Sequence, residues 1–180
     1  MKKPFISAIT LRWSSLLPLC VAACLLATLA MGCATSEAAR QQRAQKLAMT
    51  QKKMSEGLAQ RHYTIDIDRA HPQGPVGVIT LTSPYSVTVS GDTLKSDLPF
   101  FGRAYSVPYG GGKGLRFTAP ITYYEEADNR RGEHIVYIDA TDTEDSYRYI
   151  ITLLVGGSAS VSVQPRQRSH IEFTGQFREE

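Results

Sequence analysis

From residue 57 onward the apolar residues of this chain recur at every second position almost to its end, a period that a strand can bury on one face and a helix cannot. Tyr63, Ile65 and Ile67 alternate with Thr64, Asp66 and Asp68, and Tyr85, Val87 and Val89 alternate with Ser86, Thr88 and Ser90 up to a Gly91-Asp92 turn. Each run predicts a strand with one face in a core. Residues 134–140 and 147–155 form the arms of a hairpin around 141–146, and the second arm is apolar on both faces in its middle, as suits a central strand. Gly156-Gly157 then turns into Ala159, Val161 and Val163, spaced by serines, and Ile171, Phe173 and Phe177 follow. Shorter runs at 76–81, 93–95, 115–118 and 121–125 bring the total to about eight or nine strands. Without helices between them, such strands build an all-β antiparallel domain, and a sandwich and a curved, barrel-like sheet satisfy the pattern equally.

An N-terminal helix precedes the strands. Residues 36–60 are rich in Ala, Gln, Lys and Arg, with Ser36 placed to cap the first turn and Glu37 to favour its dipole. The apolar positions Leu47, Met54 and Leu58, with Ala44 and Ala48, make one narrow stripe, enough to pack one edge of a spacer on the domain. A coiled-coil partner helix is the sharper alternative, but the heptad pattern is short.

The first 32 residues read as an address. Lys2, Lys3 and Arg12 precede an almost uncharged run from Trp13 to Gly32, the order that a secretion translocon reads. Leu29, Ala30, Met31 and Gly32 lead into Cys33, which resembles the lipobox cut by lipoprotein signal peptidase, although Ala30 stands where the pattern usually has Leu. That resemblance implies that Cys33 carries a thioether-linked diacylglycerol with palmitate-type chains, anchoring the protein to membrane lipid. Val21-Ala22-Ala23 before Cys24 matches the lipobox more literally, but cleavage there leaves the greasy 25–31 stretch at the new N-terminus, whereas Cys33 is followed by polar Thr35, Ser36 and Glu37. An uncleaved anchor helix is the third possibility. The expected division is thus a signal peptide at 1–32, a lipidated tether at 33–60 and a β-rich domain at 61–180. The expected location is the bacterial envelope, on an outer membrane facing the periplasm or the cell surface.

Removing the leader changes what composition says. It holds three of the 20 basic residues and none of the 17 acidic ones, so seventeen of each remain and the formal +3 disappears. A balanced chain offers no surplus against phosphates, and no nucleic-acid partner is expected. All three cysteines, Cys20, Cys24 and Cys33, lie at or before the cleavage point, which leaves the domain without disulfide, zinc-ribbon or thiol chemistry.

The least ordinary segment is Leu98-Pro99-Phe100-Phe101-Gly102-Arg103-Ala104-Tyr105, followed by Ser106-Val107-Pro108-Tyr109 and the run Gly110-Gly111-Gly112-Lys113-Gly114. With Tyr85-Ser86-Val87 and Gly91-Asp92 before it and Gly114-Leu115-Arg116-Phe117 after it, this stretch resembles the signature of a family of small lipoproteins from Bacteroidetes-type bacteria, catalogued as a domain of unknown function (family 4251). The similarity runs from about Tyr63 to Gly175 and implies an all-β lipoprotein domain, with no activity or catalytic residue to carry over. Physically, the aromatics suit a plug at one end of the sheet, with Arg103 stacking or pairing locally. As a binding surface, Arg103, Tyr105, Tyr109 and Lys113 would form one lip of a groove for a carboxylate, sugar or peptide.

Catalytic and metal patterns are weak. Gly112-Lys113-Gly114 lacks the Ser or Thr and the earlier Gly of a phosphate loop. Asp139, Asp142, Glu144 and Asp145 crowd the predicted hairpin turn, but without calcium-loop spacing they read as a solvated turn. His62, His71, His134 and His170 lack the spacing of a zinc site, no serine sits in a nucleophile motif, and the adjacent Glu125 and Glu126 point to opposite faces of a strand. No cofactor or metal is expected. The expected function is a membrane-tethered, non-enzymatic binding or assembly module for a protein, peptide or glycan, with a lipid-anchored enzyme acting on glycans or an apolar-ligand carrier as alternatives.

Overall fold

The computed structural model describes residues 16–105, 113–130 and 132–179, with side chains from residue 37 on. Among these residues one helix, α1 (Leu16–Gln60), precedes eight strands: β1 (His62–Pro72), β2 (Ile79–Ser90), β3 (Thr93–Leu98), β4 (Leu115–Asp128), β5 (His134–Thr141), β6 (Ser146–Leu153), β7 (Ser158–Pro165) and β8 (Ile171–Glu179). The expected start of the helix at Ser36 is corrected: Ser36 lies inside α1, because the Leu- and Ala-rich residues before it favour helix as strongly as those after it. Among the described residues no helix is long and apolar enough to cross a membrane. The chain forms two compact units, Met1–Gln45 and Lys46–Glu180. The second holds the last turns of α1 and every strand.

Each strand pairs antiparallel with its successor, and β8 returns to pair with β1 from Pro72↔Ile171 to Tyr63↔Glu179, closing a barrel. That closure decides between the two expected architectures. Among the described residues the strand count is eight because two pairs of short runs fuse: 76–81 with 85–90 into β2, and 115–118 with 121–125 into β4. Pro84 and Pro120 read as breaks in the sequence, yet Pro84 sits where the β1–β2 register jumps and Pro120 where one strand edge is unpaired, the two settings that tolerate a missing N–H.

Alternation then fills the interior. Tyr63, Ile65 and Ile67 point inward from β1, a bulge at Asp68 shifts the phase, and Ala70 takes the next inward place. Tyr149 and Phe173 meet these side chains with Leu94, Leu98, Leu115, Ile138 and Ile151, all fully buried. One polar chain crosses this core: the Tyr149 hydroxyl donates to Ser96 Oγ at 2.9 Å, and Ser96 Oγ donates to the Leu115 carbonyl at 2.7 Å. Burial pushes the Tyr149 phenol well above its usual range. Where β8 crosses β1 a Cβ on Gly175 would overlap the Asp66 carbonyl oxygen and lie 3.0 Å from Ile67 Cα, so only glycine fits.

The end of α1 closes one mouth of the barrel. Met54 and Leu58 are buried with the core, each contributing roughly 1.5–3 kcal/mol. Leu47, the third residue of the expected stripe, is exposed. Gly57 lets the helix approach, since a Cβ there would stand 3.0 Å from the Phe177 ring that stacks on Tyr63. Arg61 ends the helix at a φ of 51°, its guanidinium 4.3 Å from the Tyr124 ring and 3.3 Å from Asp92 Oδ1.

Candidate functional site

β4 is more than twice as long as its neighbour β3 and changes partners midway. Its first half, Leu115 to Pro120, pairs with β3; β5 joins only from Ile121, opposite Ala140, onward. β5 reaches no further because Asp142 folds the chain back: its Oδ1 accepts the amides of Glu144 and Asp145, both at 2.8 Å. The early turn leaves a slot of about 420 Å³ in the barrel wall, lined by Lys113 and residues 116–120 on one side and residues 141–144 on the other.

Strand geometry assigns what faces this slot. The tight Gly91-Asp92 turn makes Ser90 and Thr93 the closing pair of the β2–β3 hairpin, and the Ile121 amide donates to the Asp92 carbonyl at 2.8 Å. Alternating outward from these anchors, Leu115, Phe117 and Ala119 direct their backbone groups to β3. Arg116 and Thr118 therefore direct both amide and carbonyl into the slot, whereas the Pro120 carbonyl belongs to the first rung with β5, beside the Ile121↔Ala140 pair. The floor is aromatic: Phe117 stacks on Tyr147 with centroids 4.3 Å apart, and Tyr149 meets Phe117 edge-on at 6.3 Å. At the rim the Arg116 guanidinium pairs with Asp97 at 2.9 Å, while Lys113 stands exposed.

The predicted groove residues separate. Lys113 lines the slot; Arg103 and Tyr105 do not. Their segment crosses the barrel end opposite α1 and is stitched to the β7–β8 connection, through Tyr105 N to Gln167 O at 2.8 Å, Ser169 N to Arg103 O at 2.9 Å and Arg103 N to Ser169 Oγ at 3.1 Å. Both side chains are exposed, Tyr105 at 75%. Tyr109 lies outside the described residues. The aromatic plug is Phe100, which packs against the core, whereas Phe101 is exposed.

The cation that stacks on the plug is not Arg103 but Arg168, its guanidinium carbon 5.7 Å from the Phe100 ring centre. Buried Arg168 also donates to the Gly114 carbonyl and pairs with Glu144 Oε2 at 3.1 Å. Asp145 receives the amides of Ser146, Arg166 and Gln167 at 2.8, 3.1 and 3.1 Å. The acids of the expected solvated turn thus hold three connections together. Sequence reasoning missed Arg168 because its partners lie 24 and 54 residues away; the local sequence, with Arg166 two residues before it in the same short polar loop, does not distinguish it.

At the α1 end a second polar line runs along the wall. Tyr63 and Tyr124 share a hydroxyl contact at 3.4 Å, Tyr124 donates to Glu126 at 2.9 Å, and His134 lies 3.2 Å from Glu126 and 2.6 Å from Asp128. Burial pushes the Tyr124 phenol up to about 12. Glu125 instead accepts from Tyr123 on the other face, as strand alternation requires. Glu126 and His134 border an apolar hollow of about 270 Å³ under Met54, Leu58, Leu153 and Val155. Among the described residues no group of three or more His, Cys, Asp or Glu is placed to hold a metal ion.

Comparison with known proteins agrees with this architecture. No curated protein matches the chain. The crystal structure of a DUF4251 family protein from Bacteroides eggerthii DSM 20697, at 1.95 Å resolution, is similar over 73% of this chain and 89% of that one, with a TM-score of 0.56 and 16% identity, a likeness of fold. The model of the family described as Domain of unknown function (DUF4251) matches residues 45–177. That match takes in the last turns of α1 and all of the barrel core, so the chain belongs to the DUF4251 family.

Proposed function

We propose that this protein is a lipid-anchored lipoprotein of the bacterial cell envelope whose barrel is a non-enzymatic binding module. The anchor reading rests on the charged-then-apolar leader and the small residues before Cys33. The binding reading is carried by one observation: a wall slot bordered by a one-sided strand, on a barrel whose axis is already filled by Tyr63, Tyr149 and Phe173. A carrier of apolar ligands would need the space those rings occupy. In the slot, an enzyme acting on glycans would need convergent carboxylates, but Asp142 is committed to its turn and Glu144 to Arg168.

The anchor is tested by expressing wild type and Cys33→Ala in a bacterial host with labelled palmitate. Labelled wild type that partitions into detergent, and an unlabelled variant that retains its leader, are expected. Equal labelling of both, or none of either, would remove lipidation at Cys33 from the proposal.

A further inference from the structure

We infer that the slot takes an extended peptide ending in a carboxylate, which adds a strand to the free edge of β4; this rests on the binding-module reading and names its ligand class. The unmet groups are the argument for an extended chain. Among the described residues no strand reaches Arg116 or Thr118 from this side, and their amides and carbonyls lie in one line, the two residues about 6.8 Å apart, the repeat of every second residue in a strand. An approaching strand meets that spacing with its own alternate residues, as in strand addition to an open sheet edge.

Three further observations fit. Pro120 stands on the slot side, where its missing N–H costs no bond to β3. The floor beneath the edge is the rigid Phe117–Tyr147 stack, which offers a flat apolar surface to inward side chains of the incoming strand. Charge then sets direction. Arg116 is engaged by Asp97, Glu144 by Arg168, and Asp142 by the amides of its own turn. The exposed ammonium of Lys113 is left at the end of the slot where β4 begins. A strand that continues the course of β5 runs antiparallel to β4, so its C-terminal end arrives beside Lys113. A terminal carboxylate and an acidic side chain share the required chemistry.

The test uses the full chain in detergent. Residue-resolved hydrogen exchange on the free protein should show the Arg116 and Thr118 amides exchanging at least about 100-fold faster than those of Phe117 and Ala119, which bond to β3. Protected Arg116 and Thr118 amides would overturn the proposal, and protection that rises with protein concentration would give the edge to a second copy instead. A random octapeptide library displayed with free C-termini is then panned on wild type and on Thr118→Pro, which removes one slot-facing N–H and keeps the β3 ladder. Enriched peptides should protect the two amides and bind Thr118→Pro at least about tenfold more weakly, the loss of a single well-made hydrogen bond. An amide-capped copy that binds as well as the free acid assigns the carboxylate to a side chain; a weaker one assigns it to the terminus. Failure to enrich any peptide over Thr118→Pro, or peptides that leave both amides exchanging, would sink strand addition while leaving the palmitate result to judge the anchor by itself.

Discussion

Replacing Arg168 by Met tests how the barrel end opposite α1 is sealed. Met keeps most of the apolar stem and removes the guanidinium. The bond to the Gly114 carbonyl is charge-assisted and made by a side chain only 5% exposed; its loss costs roughly 1.5–3 kcal/mol. The stack on Phe100 adds about 0.5–2 kcal/mol. Glu144 is 20% exposed and regains water once its partner is gone, so the ion pair itself adds under about 1 kcal/mol. The total is about 3 kcal/mol, at the lower edge of what breaking a buried pair costs. For a domain of this size that corresponds to a fall in Tm of roughly 10 °C. Urea unfolding followed by far-UV circular dichroism measures it, since the sole tryptophan, Trp13, precedes the barrel. Glu144→Gln should cost less than Arg168→Met, and the double variant should be close to Arg168→Met alone. A loss below about 1 kcal/mol for Arg168→Met, the value of a surface ion pair, would refute the claim that this residue seals the end.

Gly175→Ala should prevent stable folding or cost more than about 3 kcal/mol, because its Cβ meets backbone of β1 rather than a side chain that can move, while Gly156→Ala, with nothing within 4 Å, should stay within about 0.5 kcal/mol of wild type; thermal unfolding of the pair decides, and a mild Gly175→Ala would mean that β1 and β8 separate easily. On the alkaline side the buried tyrosines should leave stability unchanged from pH 8 to about pH 10 and lower it beyond. The phenols of Tyr63 and Tyr149 are raised by burial, so above the unfolded pKa the folded state keeps protons that the unfolded state has lost. The slope is then up to about 1.4 kcal/mol per pH unit for each. Urea unfolding from pH 8 to 11, with tyrosinate absorbance followed in parallel, reads this directly; a flat profile to pH 11 would contradict the burial of those hydroxyls.

Period-two alternation told the chain to be antiparallel β, and it did so because the side chains of one strand choose between core and solvent locally, at Tyr63, Ile65 and Ile67 or Val87 and Val89. The helix and the family signature around Phe100 were legible for the same reason: propensity and motif are written in neighbouring residues. Barrel against sandwich was not, because closure is a pairing between β1 and β8, about a hundred residues apart, and a sandwich would present the same alternation. Nor could alternation foresee that Asp142 turns the chain back early enough to leave the first half of β4 unpaired on one side. The predicted groove residues were chosen for chemical type within one segment, yet tertiary structure sends Arg103 and Tyr105 to the barrel end and Lys113 to the wall. It gives the sealing role to Arg168, in the β7–β8 connection, whose carbonyl and ring partners come from the β3–β4 connection and whose carboxylate partner comes from the β5–β6 turn, three segments that only the closed barrel brings together.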